Sequence, residues 1–392
     1  MLSVALAGKP NAGKSTFYKA ATMADVDVGN YPFTTIDPNR GVTHARTRCP
    51  CLDREERCGN CEDGIRYVPV ELLDVAGLVP GAHEGRGLGN QFLDALTDAD
   101  AILSVVDAAG ETNAEGEPVE VGAYDPVEEA DFVEDELEQW LAGIVEKNWE
   151  TVVRKSRSPD FDIDDALTEM LTGFGATVYD VAASLRAVEY PEDPQQWTDD
   201  DRERLARDVR ERTKPIVLVA NKADIAPAGN VDRLREETGA PVTATTADGE
   251  LALRTAADAG VIAYHPGDGD FDVVGEVSDA QRDGLETIRE LMAENSGTGV
   301  QTAINTVVYD TLDMITVYPV ENETRWTDGS GAVLPDAFLL PRGSTPTDLA
   351  YAVHSDIGDG YLHAVDARSD RRIGEDHELE EGDVIKVVST AN

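Results

Sequence analysis

LSVALAGKPNAGKS, residues Leu2 to Ser15, is a short apolar run followed directly by a glycine loop, and TFYKAATMA after it has the texture of a helix. Strand, glycine loop and helix in that order are the setting a phosphate-binding loop requires. Gly8 and Gly13 permit the tight turn, and backbone N–H groups between them can point at phosphate oxygens. Lys14 is placed to reach the β- and γ-phosphates and the Ser15 hydroxyl to coordinate Mg²⁺. The expected phosphate-binding set is therefore Gly8, Lys9, Pro10, Asn11, Ala12, Gly13, Lys14, Ser15 and Thr16. A chance glycine turn with a solvated lysine is the bland alternative, and the flanking strand and helix argue against it.

Three later stretches narrow the nucleotide. RYVPVELLDVAG (66–77) is a strand ending in Asp74-Val75-Ala76-Gly77. An acidic residue there holds Mg²⁺, and the Gly77 N–H can sense a γ-phosphate. PIVLVANKAD (215–224) is a β-branched strand running into Asn221, Lys222 and Asp224. The Asp224 carboxylate can accept both N1–H and N2–H₂ of guanine, donors that adenine lacks. VTATTA (242–247) ends another strand, where Thr246 and the Ala247 N–H can approach guanine O6. A strand-end turn or a surface loop would explain any one motif. Four in order, each after a strand, leave such readings little room.

GKPNAGKST, NYPFTTIDPNRG and DVAGLVPGAHEGRGLGNQFLDAL together resemble the Obg-type GTPases, and within them the YchF-like branch. The resemblance runs over nearly the whole chain. It implies that NYPFTT (30–35) is the first switch, with Thr35 a Mg²⁺ ligand and Thr34 the runner-up. Well-known YchF-type members resemble ATPases with an altered guanine motif, whereas this chain keeps NKAD, as an archaeal and fungal sister group does. GTP and GDP are therefore the expected ligands, and ATP is the alternative. In related Obg-type proteins an asparagine of the phosphate loop helps to hold K⁺ beside the phosphates, and Asn11 stands at the matching position. Lys14, Asn11, Thr35 and Gly77 are thus the expected catalytic set. The position after DVAG, a glutamine in many GTPases, is Leu78, which cannot orient water, so intrinsic hydrolysis should be slow. His83 and Arg86 are the polar residues of the glycine-rich second switch. A nucleotide-gated binding module with incidental hydrolysis is the competing class.

Between VVDAAG (105–110) and PIVLVANKAD the texture changes. Residues 126–150 place Phe132, Val133, Leu137, Trp140, Leu141, Ile144 and Val145 at helical spacing. DIDDALTEMLTGF and TDDDRERLARDVRERT read as further helices. Residues 301–392 change again to strands and turns. LPRGSTPTDLAYAVHSDIGDGYLHA resembles a TGS domain, a ubiquitin-like β-grasp module, with Thr345 or Thr347 capping its helix. The expected fold is an α/β P-loop domain (1–122 and 213–300) with an inserted α-helical arm (123–212) and a C-terminal β-grasp domain (301–392). The arm and the β-grasp module make a ribosome or tRNA contact the expected partnership; oligomeric state is left open.

The chain carries a net charge of −44 with 41% hydrophobic residues and only eight lysines. Acidic residues interleave with apolar ones throughout, which suits a folded protein of a halophilic, archaeal cell better than a disordered one. In molar salt the Debye length shrinks to ~3 Å and self-repulsion is screened. No apolar run approaches the ~18–20 residues of a membrane span, and MLSVALAGKP lacks a basic leader, so a cytoplasmic location is expected. All four cysteines, Cys49, Cys51, Cys58 and Cys61, lie in CPCLDREERCGNC. Two close pairs across a short loop suit a structural Cys₄ Zn²⁺ site. A redox-responsive thiol pair is the main rival. The expected place is a knuckle on the hairpin between the two switches, ordered without a hydrophobic core.

Overall fold

The computed structural model describes residues 1–23, 39–75, 77–78, 80–84 and 95–390. Thr34, Thr35 and the rest of NYPFTT, Ala76, and Arg86 with the later half of the second switch lie outside the described residues. The chain divides into two compact units: residues 1–43 with 71–303, and residues 44–70 with 304–392.

The first unit is built on a six-stranded sheet. Its strands are β1 (Ser3–Ala7), β2 (Asn39–Arg48), β3 (Ile65–Asp74), β4 (Ala101–Asp107), β5 (Ile216–Asn221) and β6 (Val242–Ala244), ordered β2-β3-β1-β4-β5-β6. β1 pairs in parallel with β3 and β4, and β5 in parallel with β4 and β6. Every residue of β1, β4 and β5 is buried, which explains their continuous apolar runs: a strand covered on both faces has no polar side. In such a sheet, ligands bind beyond the carboxyl ends of the strands. The register places Leu6 opposite Asp74 and Asp107 opposite Asn221, so the motif-bearing ends lie along one edge.

Helix α1 (Lys14–Thr22) follows the β1 loop. After a one-turn helix at Val127–Ala130, four longer helices follow β4: α2 (Phe132–Lys155), α3 (Ile163–Leu171), α4 (Val178–Ala187) and α5 (Asp199–Thr213). Val133, Leu137, Leu141 and Val145 of α2 are fully buried, whereas Phe132, Trp140 and Ile144 are only partly so. They share one apolar cluster with Leu167, Val181, Leu205 and Val209 and with Leu73, Ile102 and Leu218 of the sheet. Trp149, Tyr190 and Trp197 close the far end, with Trp197 stacked on Tyr190 at 4.4 Å. Thr177 and Thr198 start α4 and α5 with reciprocal capping boxes to Asp180 and Asp201. The inserted segment therefore holds one helix more than the sequence suggested. α4 escaped because Val178 and Tyr179 are exposed, which blurs its apolar period. Helix α6 (Ala247–Asp258) follows β6.

The second unit carries a five-stranded sheet ordered β8-β7-β11-β9-β10. Its strands are β7 (Met314–Val320), β8 (Phe338–Pro341), β9 (Tyr361–Asp366), β10 (Arg371–Ile373) and β11 (Val384–Ser389). The central pair β7–β11 is parallel and its neighbours are antiparallel. Helix α7 (Pro346–Val353) buries Leu349 and Ala350 on this sheet. Thr345 and not Thr347 caps it, in a capping box with Asp348. This is the β-grasp topology. Residues 44–48 of β2 and 65–70 of β3 group with this second unit, where the sequence-based boundaries kept them in the first.

Candidate functional site

The loop after β1 is forced by local backbone demands. Gly8 has φ 135° and Gly13 φ 99°. A Cβ on Gly8 would lie 2.3 Å from the Val105 carbonyl oxygen, and one on Gly13 would lie 2.1 Å from Asn221 Nδ2. Both positions thus need glycine twice over, for conformation and for space. Gly13 starts α1 without a side-chain cap, which leaves the first-turn N–H groups to an anion.

Lys14 is buried and donates to the carbonyls of Gly8 (3.0 Å) and Lys9 (2.8 Å). Burial pushes its ammonium down to about 8, against the opposing pull of Asp74 and Glu129. The Ser15 hydroxyl donates to Asp74 Oδ2 at 3.0 Å. Asp74 itself is pushed up by burial, which Lys14 and Ser15 partly offset. A hydroxyl and a carboxylate side by side at the mouth of a phosphate loop form the all-oxygen donor set that fits Mg²⁺. Thr16 follows, half-buried, in the first turn of α1. Gly77 packs so closely on Pro10 that a Cβ would come within 2.8 Å of that ring. The Leu78 N–H donates to the Gly8 carbonyl at 3.0 Å, and its side chain is fully buried.

Asn221 ties three motifs together. Its Nδ2 donates to the Ala12 carbonyl (3.0 Å) and its Oδ1 accepts from the Ala247 N–H (3.1 Å). The Ala247 N–H expected to face guanine is therefore already engaged. Thr246 caps α6 through its hydroxyl and donates its own N–H to the Thr298 carbonyl at 2.9 Å. Lys222, at φ 60°, reaches the Asn11 carbonyl (2.9 Å), Glu111 (3.0 Å) and Asp107 (3.2 Å). Asp224 is exposed at the same edge, ready for a base. The Asn11 carboxamide donates to the Gly116 carbonyl at 2.9 Å, which leaves its oxygen as the atom able to ligate a cation.

Lys9 uses its side chain away from the phosphate loop's mouth. Its side chain, 1% exposed, does not face a phosphate. It makes an ion pair with Glu129 at 2.6 Å, donates to the Thr112 carbonyl at 2.8 Å and lies over the Tyr124 ring. Lys9 can serve a nucleotide through its backbone only. Burial pushes the Glu129 carboxyl up to about 7, which Lys9 opposes. Sequence reasoning missed Glu129 and Asp107. The only signal was an acidic residue amid apolar neighbours in PVEEA and at the end of SVVD. It also missed Glu136 of α2, a buried carboxylate that accepts the N–H groups of Gly81 (2.7 Å) and His83 (2.9 Å) and pairs with His83 Nδ1 (2.7 Å). His83 is thus turned to a helix and not to the phosphate loop.

A parallel sheet whose strand ends carry a phosphate loop, an acidic strand end and an NKxD turn defines a P-loop nucleotide-binding protein of the GTPase class. Comparison with known proteins narrows it. Residues 3–155 match the model of the 50S ribosome-binding GTPase family, 219–322 that of the Obg-like GTPase YGR210-like, G4 motif-containing domain, and 331–389 that of the TGS domain. An uncharacterized GTP-binding protein of Methanocaldococcus jannaschii is 44% identical over 399 residues, covering 100% of both chains. A solved GTP-binding protein of Pyrococcus horikoshii OT3 is 38% identical with a TM-score of 0.79, covering 99% of this chain and 100% of that one. The ribosome-binding ATPase YchF of Bacillus subtilis is 32% identical over 249 residues, 60% of this chain and 62% of that protein. The chain belongs to the YchF-like branch of the Obg-like P-loop GTPases, with a C-terminal TGS domain, and it binds GTP and hydrolyses nucleoside triphosphate.

Proposed function

We propose that the chain is a Mg²⁺-dependent, K⁺-stimulated GTPase that hydrolyses GTP to GDP and phosphate slowly, as a switch in translation. The observation that carries the guanine reading is the Asn221 bridge. By tying the phosphate loop to the Ala247 turn, it presents the exposed Asp224 at a fixed position for a purine edge. Ser15 and Asp74 would hold Mg²⁺ together with Thr35, and that ion supplies neutralisation of charge on the phosphates. Lys14 would exchange its two carbonyl partners for phosphate oxygens. The Asn11 oxygen would hold K⁺, whose charge stands in for an arginine finger. The acidic surface fits an interior rich in that ion. The G-domain, arm and TGS organisation expected from the sequence belongs to this reading, with residues 44–70 assigned to the C-terminal unit, as does a cytoplasmic place of action. A ribosome or tRNA contact is supported by the names of the matched family and of the Bacillus relative and by the TGS module, by analogy.

Nucleotide competition tests the guanine reading. GTP and GDP should displace a fluorescent guanine nucleotide while ATP fails, and equal affinity for ATP would overturn it. One observation favours a second reading, a nucleotide-gated binding module. Leu78 is buried in the core and cannot reach an attacking water. Single-turnover hydrolysis in KCl and in NaCl separates the two: faster turnover in KCl supports the enzyme, and none in either salt supports the module.

A further inference from the structure

The four thiols stand between β2 and β3, on the hairpin where the sequence placed them, but not on a coreless loop. Cys49 and Cys51 are fully buried in an apolar cluster with Tyr318, Val320, Trp326, Leu334 and Val384, all of the second unit, and Cys58 and Cys61 pack against it. Cys49 Sγ lies 3.6 Å from Cys58 Sγ, and Cys51 Sγ lies 3.5 Å from Cys61 Sγ. All four sulfurs fall within 4.8 Å of one another. A tetrahedral site with Zn–S of about 2.3 Å needs sulfurs about 3.8 Å apart, so the set is already gathered around one point.

The surroundings are built for such a centre. A 3₁₀ turn (Pro50–Asp53) follows Cys49, and Gly59, at φ 72°, turns the chain between Cys58 and Cys61. The Asn60 N–H donates to Cys58 Sγ at 3.4 Å, the kind of bond that steadies a thiolate ligand. Arg57 donates to the Cys51 carbonyl at 2.9 Å. Buried Arg66 donates to the carbonyls of Asn60 (3.2 Å), Leu334 (3.1 Å) and Pro335 (2.9 Å). Arg54 reaches the Thr324 carbonyl at 2.8 Å and covers the Trp326 ring, on which Arg368 also lies while pairing with Asp53. Charge points the same way. Residues 44–70 hold five arginines against five carboxylates in a chain of net charge −44. Four thiolates around a divalent ion carry two excess negative charges, and this charge-balanced stretch opposes them less than the acidic average of the chain would.

We propose that Cys49, Cys51, Cys58 and Cys61 bind one Zn²⁺ as a closed tetrathiolate, and that this ion is a folding element of the C-terminal unit. It clamps the 44–70 segment to β7, β11 and the 321–334 turn. Four protein ligands leave no open position, so the site is structural. Binding releases thiol protons and requires no oxidant or reductant. The segment joining the two switches therefore owes its order to the β-grasp unit.

The test uses the full-length chain. Elemental analysis of protein purified under reducing conditions should find one zinc per chain, and Co²⁺ exchanged into it should show the visible bands and thiolate charge-transfer absorption of a tetrahedral S₄ site. Chelation, or the Cys58→Ser/Cys61→Ser variant, should speed amide exchange in 314–334 and 384–389 about tenfold or more. GDP affinity should change by less than about twofold, as expected of independent sites that share no partner. Iron in place of zinc, no metal, or Cys49–Cys58 and Cys51–Cys61 disulfides in the reduced preparation would overturn the proposal. So would metal loss that weakens GDP binding while leaving exchange in the second unit unchanged. The Co²⁺ spectrum reads the unmutated protein, so a variant that fails to fold does not shelter the idea.

Discussion

The nucleotide edge and the cysteine segment are both loops grown from the ends of strands, yet they are held by opposite means. At the nucleotide edge, partners are polar and buried: Lys9 with Glu129, Lys14 with loop carbonyls, Asn221 with Ala12 and Ala247. In the cysteine segment the thiols are set in apolar and aromatic side chains, with Arg54 and Arg368 laid over the Trp326 ring. A site that must exchange a highly charged ligand keeps its own charges satisfied by internal bonds that the ligand can replace. A site that keeps its occupant permanently can be sealed by hydrophobic burial.

The sharpest way to break this contrast is Glu129→Ala. It strands Lys9 as an unpaired buried ammonium and should cost the first unit about 3–5 kcal/mol, read as faster amide exchange in β1 and β4 while β7 and β11 stay protected. Equal loss in both units would refute the separation. Next is Asp224→Asn, which removes a charged acceptor from the base edge. GTP affinity should drop by about 1.5–3 kcal/mol in calorimetry while the fold is unchanged.

Lys14 supplies a pH test. Its folded-state value of about 8 is below its ordinary value, so the unfolded chain holds more protons between about 8 and 10.5. Its contribution to stability is fully present above the ordinary value and is lost as pH falls through about 8. Nucleotide binding favours the charged form, so GDP affinity should fall as pH rises above about 8, by at most about tenfold per pH unit. Stability and affinity should therefore move in opposite directions, and parallel movement would contradict the assignment. Glu136→Gln weakens the acceptor for Gly81 and His83 and should cost about 1 kcal/mol locally, seen as faster exchange at residues 80–84. An effect of the same size, confined to the second unit, comes last. Thr345→Ala should destabilise α7 by about 1 kcal/mol without touching nucleotide affinity.

Legibility followed the range of the interactions. LSVALAGKPNAGKS could be read because phosphate chemistry imposes glycines, a lysine and a hydroxyl at short fixed spacing. NKAD could be read for the same reason. The Lys9–Glu129 pair spans 120 positions, and nothing local distinguishes Glu129 from Glu128 beside it. Glu128 and Glu129 differ only in which one the short helix Val127–Ala130 turns inward. Nor does the sequence of α2 single out Glu136 among its acidic neighbours. The cysteine spacing was visible, but not its host, because Trp326 and Leu334 lie more than 250 residues away.

By itself, then, the sequence determined the class of sheet, the phosphate loop, the guanine-type turn, the capped β-grasp helix and the gathering of four thiols. Each of these is set by contacts within a few residues, where residue type and spacing constrain the backbone directly. Tertiary structure alone decided that Lys9 turns inward, that Asn221 engages the Ala247 N–H, that Glu136 holds the Gly81–His83 turn of the second switch, and that residues 44–70 fold with the C-terminal sheet. Those outcomes depend on which buried polar group finds a partner and which apolar surface covers it. That balance is struck between segments that the sequence separates by anything from 26 positions, for Asn221 and Ala247, to more than 250, for the cysteines and Leu334.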